Sequence, residues 1–209
     1  MESLVGRRER VGNYYSVKNG KVVQDLGKER PEVMDGISER VNKNGVTVYE
    51  IVNDFIAGKI IALELQDPPE EHPDYKSQMM ITIEGQSGNK AIVRVPFDSA
   101  YGRGFLLSAE GIDFNNEVEL EPYKYLDKKT GKDKMGLSVY QNGAQLPWTM
   151  GTKANPGDVP KLIETTFKGK KVWDNTEQLN YFYKFYAELS EKVSPLQNAD
   201  EETEDDIDF

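Results

Sequence analysis

Apolar and polar positions alternate with a two-residue period through much of the first 150 residues, the pattern of strands buried on one face. Six runs stand out, at 46–52, 59–65, 78–84, 90–96, 117–121 and 136–140. Gly58 precedes the second run and is placed to bend or bulge its pairing. Gly85-Gln86-Ser87-Gly88-Asn89 joins the third and fourth runs with hairpin chemistry. Upstream, Tyr14-Tyr15-Ser16-Val17 and Lys21-Val22-Val23 flank Asn19-Gly20, a pair suited to the positive φ angles of a tight turn. Asn44-Gly45 repeats that signal before Val46.

Two helices interrupt the alternation. Between the fourth and fifth runs, Asp98 or Ser99 caps a short helix carrying Phe105, Leu106 and Leu107. Near the C-terminus, Leu179, Phe182, Tyr186, Leu189 and Val193 recur at steps of three and four, which makes one apolar helical face. Asn175 and Gln178 have capping-box spacing before it, and Pro195 is expected to end it. The face is expected to pack on the strand domain or on a second subunit. Pro147, Gly151, Pro156, Gly157 and Pro160 mark the preceding stretch as linker.

The expected fold is mainly β: an OB-fold-like five-stranded barrel with an extra N-terminal hairpin and a C-terminal α-helix. The expected organisation is an N-terminal extension packing on the barrel (1–45) and an OB-fold-like core (46–150). A linker with the C-terminal helix (151–195) and a disordered acidic tail (196–209) follow.

Charge sharpens the picture. The net charge of −10 argues against a polyanionic partner, until its distribution is read. Asp200, Glu201, Glu202, Glu204, Asp205, Asp206 and Asp208 supply seven acids with no base among them, so the remainder carries only −3. A nearly neutral body can hold a basic groove, because binding follows the local field. The chain has no cysteine and one histidine, His72, set in the Pro-rich turn Pro68-Pro69-Glu70-Glu71-His72-Pro73 and expected to be solvated. Neither a metal site nor another cofactor is expected. No run approaches the roughly 20 apolar residues of a membrane helix, and Met1–Arg8 lacks the apolar stretch of a signal peptide. A soluble, cytoplasmic protein is expected.

The candidate chemistry lies in residues 121–136. Five lysines face two aspartates between Lys124 and Lys134, and a hairpin here places Lys128, Lys129, Lys132 and Lys134 around its tip. Alternation sets Val118, Leu120, Leu137 and Val139 inward and Tyr123, Tyr125, Ser138 and Tyr140 outward. Flat rings that stack on any base, beside ammonium groups that follow phosphates, are what sequence-independent single-strand binding needs. Further candidates are Tyr49, Phe55 and Lys59 near the first strand pair, and Tyr101 with Arg103 before a core Phe105. Trp148 and Trp173 have rings that can stack on bases, but each lies at a boundary, where a tryptophan commonly pins a linker to the body.

The tail adds a second signal. In Asp205-Asp206-Ile207-Asp208-Phe209, two apolar side chains sit within concentrated negative charge. Such a segment suits an apolar pocket with basic surroundings on a partner, or the chain's own cationic groove, where its tether gives it a high effective concentration. A strand domain, a basic aromatic hairpin, a C-terminal helix and this tail together resemble the single-stranded DNA-binding proteins of tailed bacteriophages. Asp208 stands where the bacterial relatives of that family usually have Pro, and their long Gly/Gln-rich linker is missing. The resemblance implies coating and protection of single-stranded DNA in phage replication, recombination and repair, in the host cytoplasm, with the tail recruiting polymerase, helicase or primase.

Two other classes compete with this reading. An enzyme is not expected: no P-loop or dinucleotide glycine pattern is present, and the densest carboxylates lie in a tail that cannot hold two-metal geometry. An acidic interaction or DNA-mimic module without nucleic-acid binding is the alternative. RNA and DNA are not separated by these features.

Overall fold

In the computed structural model, which describes residues 13–32, 35–72, 74–152 and 155–201, the alternating runs become strands of one sheet. They are β1 (Asn13–Lys18), β2 (Lys21–Gly27), β3 (Ile37–Val41), β4 (Thr47–Asn53), β5 (Ile56–Gln66), β6 (Gln78–Glu84), β7 (Lys90–Pro96), β8 (Glu117–Asp127), β9 (Lys132–Gln141) and the two-residue β10 (Ala144–Gln145). Their spatial order is β10-β9-β8-β5-β6-β7-β1-β2-β4-β3. All neighbours are antiparallel except β1 and β7, which run parallel with Tyr15 opposite Val93.

The fold is mainly β, as the alternation implies, but the sheet does not close into a barrel. The reason lies in the N-terminal segment. β1 occupies the edge of β7, so that edge cannot receive the last hairpin. Residues expected to pack on the outside of the core therefore extend its sheet, together with β3, a strand the alternation did not reveal. The sheet still curls. The β1–β2 turn, with Asn19 and Gly20 at φ 54° and 74°, comes down on β8, where a Cβ on Gly20 would collide with the Lys124 backbone. Gly58 serves a similar close approach: a Cβ there would meet the Glu84 carbonyl, next to the register shift between Ile60 and Ala62.

One face of the curl is apolar. Ile60 and Leu63 (β5), Met79, Ile81 and Ile83 (β6), Val93 and Val95 (β7), Val118 and Leu120 (β8), and Leu137 and Val139 (β9) form the core. Helix α1 (Ala100–Ala109) plugs it with Phe105, Leu106 and Leu107, all essentially inaccessible. Ser99 is its cap, with Oγ accepting from the Gly102 amide at 3.0 Å, whereas Asp98 pairs with Lys76.

Helix α2 (Thr176–Glu201) crosses β5 and buries Phe182, Tyr186, Leu189 and Val193, with Leu179 partly buried. The expected face therefore packs on this chain's own sheet. Each such side chain contributes about 1.5–3 kcal/mol of burial. The Tyr183 and Phe97 rings stack at 4.2 Å, and the Ser190 hydroxyl donates to the Leu63 carbonyl. Two expectations are corrected. The helix runs through Pro195 to Glu201, since a proline removes one ladder bond and Leu196, Gln197 and Ala199 are compatible with helix beyond it. Asn175 and Gln178 do not form a capping box either. Asp174 caps Thr176, Asn175 donates to Asp98, and Gln178 bridges Arg103 and the Pro160 carbonyl.

The expected linker also carries structure: β11 (Ile163–Phe167) and β12 (Lys170–Asp174) form a separate two-stranded sheet. No helix among the described residues is long and apolar enough to cross a membrane.

Candidate nucleic-acid interface

The β8–β9 hairpin extends beyond the buried core, and its charge changes along its length. Glu117, Glu119 and Glu121 lie near the body, while five lysines against two aspartates give residues 124–134 a net +3. Cross-strand register pairs Glu119 with Tyr140, Glu121 with Ser138, Tyr123 with Gly136, Tyr125 with Lys134 and Asp127 with Lys132. These residues share the outer face, opposite buried Leu120 and Val139.

Tyr123 lies across Gly136, where any Cβ would strike its ring. That glycine lets the ring settle flat beside Tyr125, with centroids 6.0 Å apart and planes 28° from parallel. Tyr125 is exposed and Tyr123 half-buried; burial first, and then Tyr125, push the Tyr123 phenol above its ordinary pKa. Asp127 organises the tip by accepting from the Lys129 amide, the Thr130 hydroxyl and Lys134. The Lys134 bond chiefly holds its carboxyl at about 2. Lys124 pairs with Asp133 at 3.0 Å. Among the described residues, Lys128, Lys129 and Lys132 take part in no ion pair, so three ammonium groups surround the turn uncompensated.

The other expected residues divide. Tyr140 is on the outer face, but Glu119 and Glu121 flank it; burial and then Glu121 push its phenol up, and the carboxylates make its surroundings unfavourable for phosphate. Lys59 shares that face, opposite Glu117 and Glu84, and Phe55 is exposed at the β4–β5 turn. Tyr49 and Tyr101 are buried, at 8% and 7% exposure, and their rings are closed to a base. Arg103 is drawn under α2, its Nη1 donating to Gln178 Oε1 at 2.8 Å. Trp148 and Trp173 were expected to pin a linker, and both are exposed instead. His72 is exposed as expected, stacked on Tyr75. Residues 205–209 of the tail motif lie outside the described residues.

One group escaped the sequence. Arg94 of β7 reaches over the Tyr14 ring of β1, 5.6 Å from its centroid. Its Nε is buried without a hydrogen-bond partner. Outward alternation in β7 marks Arg94, but nothing local says that Tyr14, 80 positions earlier, lies beneath it. By contrast, a cleft of about 510 Å³ between α1 and α2 bears Glu110, Asp158 and Glu188 against one lysine, Lys192, and does not suit a phosphate.

Compared with protein-family models, curated proteins and solved structures, the chain matches none.

Proposed function

We propose that this protein binds single-stranded DNA without sequence preference through the outer face of the β8–β9 hairpin. The observation that carries the reading is the Tyr123–Tyr125 ring pair beside three uncompensated lysines at the tip. Rings of this kind stack on any base for about 1–3 kcal/mol each, and a lysine tip follows the backbone.

Topology supports an OB-type assignment of the core. Strands β5, β6, β7, β8 and β9 lie in the order β9-β8-β5-β6-β7, and α1 connects β7 to β8. In such a unit, the face of its second and third strands and the loop between its fourth and fifth bind oligonucleotides. Here those are the β6–β7 face, with Arg94 over Tyr14, and the lysine-rich β8–β9 turn. Neighbouring strands are about 4.8 Å apart, so β7 lies roughly 14 Å from β8, a span a few nucleotides cover. The acidic tail serves replication proteins and competes with DNA for the cationic surface, in keeping with its seven acids.

Fluorescence anisotropy of labelled oligo-dT, with duplex and RNA competitors, tests the reading on the full chain and on residues 1–199. Salt-sensitive, single-strand-selective binding that tightens on truncation is the expected result. No binding by either protein at low salt refutes it.

A further inference from the structure

The β11–β12 arm joins no other sheet among the described residues. Its strands pair only with each other, from Ile163 opposite Asp174 to Phe167 opposite Lys170. A lone two-stranded hairpin is marginal in water. This one also exposes Leu162, Ile163, Val172 and Trp173, the last at 60%. Its base, however, is held firmly. The Pro160 carbonyl accepts from Gln178 at 2.8 Å, Gln178 accepts from Arg103, and Asn175 donates to Asp98. Its turn is tight, with Lys168 and Gly169 both at positive φ (49° and 75°), as a two-residue hairpin loop requires. The arm is thus a shaped projection on an anchored base.

Charge identifies what it meets. Residues 161–174 contain Lys161, Lys168, Lys170 and Lys171 against Glu164 and Asp174, a net +2 in a chain of −10. Glu164 stands across from Trp173, and Lys171 pairs with it, so the carboxylate beside the indole is neutralised, unlike those around Tyr140. Two such arms repel each other, which disfavours a second copy's arm as the occupant. A polyanion with flat apolar faces matches both the lysines and the indole.

We infer that the β11–β12 arm is a second contact for the same single strand, with Trp173 stacking on a base and Lys170, which takes part in no ion pair among the described residues, meeting a phosphate. The inference rests on the DNA-binding reading, and extends the path beyond the β8–β9 hairpin to a separate element.

The test uses the full chain carrying Trp148→Phe, so that emission reports Trp173 alone. It is titrated with oligo-dT of about 6 and about 40 nucleotides, within and well beyond the ~4–16 nucleotides one such domain spans. Trp173 emission is expected to be quenched by the long strand. In the otherwise native chain, Trp173→Ala is expected to weaken the long strand roughly tenfold, the loss of one stacked base, and to leave the short one unchanged. Lys170→Gln, which leaves the indole and the Lys171–Glu164 pair in place, lowers the salt slope by about 0.7. If the native chain and a hairpin variant, Tyr125→Ala, differ in affinity but Trp173→Ala does not, the arm inference falls and the hairpin reading stands. If the native chain binds no single strand, both fall. If Trp173→Ala leaves DNA affinity intact and instead converts dimers to monomers in sedimentation, the arm is a contact between copies and the inference is overturned.

Discussion

Tyr101 Oη accepts a hydrogen bond from the Gly20 amide at 2.8 Å, joining residues 81 apart in the chain. The bond ties the β1–β2 turn to helix α1 just where that turn presses on β8. It turns a tyrosine that reads as a base-stacking candidate into a clamp on the curl of the sheet. Tyr101→Phe leaves a buried N–H unpaired and is expected to cost about 1–3 kcal/mol in denaturant unfolding, with oligo-dT affinity unchanged. A folded Tyr101→Phe protein that lost DNA affinity would contradict this assignment.

The rings of the hairpin are not equivalent. Tyr125→Ala is expected to weaken oligo-dT binding by about 1–3 kcal/mol. Tyr140→Phe, between Glu119 and Glu121, is expected to change it by less than about 0.5 kcal/mol. Equal losses in anisotropy titrations would place the strand across the acidic base of the hairpin rather than its tip.

Replacing Lys128, Lys129 and Lys132 together by Gln removes the uncompensated charges at the turn. For single strands each phosphate contact contributes about 0.7 to the slope of log affinity against log salt, so the slope is expected to fall by about 2. An unchanged slope would mean that these lysines do not meet phosphates.

Asp127 makes the tip acid-sensitive. Its carboxyl titrates at about 2 in the folded hairpin, mainly through its bond with Lys134, against an ordinary value of about 3.9 in the unfolded chain. A depressed acid stabilises the fold fully above the unfolded value, and that contribution is lost as pH falls from about 4 through about 2. Carboxyl NMR should find the Asp127 midpoint near 2, and Lys134→Gln should move it up. A midpoint near 4 in the native chain would show that the Lys134 and Lys129 contacts do not persist in solution.

Helix α2 is part of the fold rather than a movable cover, because Phe182, Tyr186, Leu189 and Val193 complete the main core. Phe182→Ala is expected to destabilise the protein by about 3–5 kcal/mol. Burial of Tyr186 beside Glu64 pushes its phenol above its ordinary value of about 10. A raised phenol stabilises the fold fully below the unfolded value, and this contribution is lost as pH rises beyond about 10. Alkaline unfolding should therefore begin earlier in the native chain than in Tyr186→Phe, as followed by circular dichroism.

Much of this protein follows from interactions between near neighbours. The Asn19-Gly20 turn needs positive φ at two adjacent residues, Ser99 caps an amide three positions on, and Leu179 through Val193 mark a face by their spacing alone. The β8–β9 hairpin is legible for the same reason: Val118 and Leu120 inward force Tyr123 and Tyr125 outward, and the lysines cluster in the turn itself.

Tertiary structure decided what depends on distant partners. Nothing near Tyr15 announces that β1 will lie parallel to β7 and occupy the edge a closed barrel would use. Tyr49 and Tyr101 have no local mark separating a buried ring from a stacking one; Gly20, far away in the chain, settles the second. Arg103 reads as a phosphate ligand until Gln178 takes its guanidinium, and Arg94 reads as ordinary until Tyr14 is found beneath it. Trp173 inverts the case. A tryptophan at a boundary is usually covered, but its hairpin joins no strand of the main sheet among the described residues, and the ring stays exposed. Local geometry acts over a few bonds and is written in consecutive residues, whereas burial and pairing depend on which surfaces the folded chain brings together.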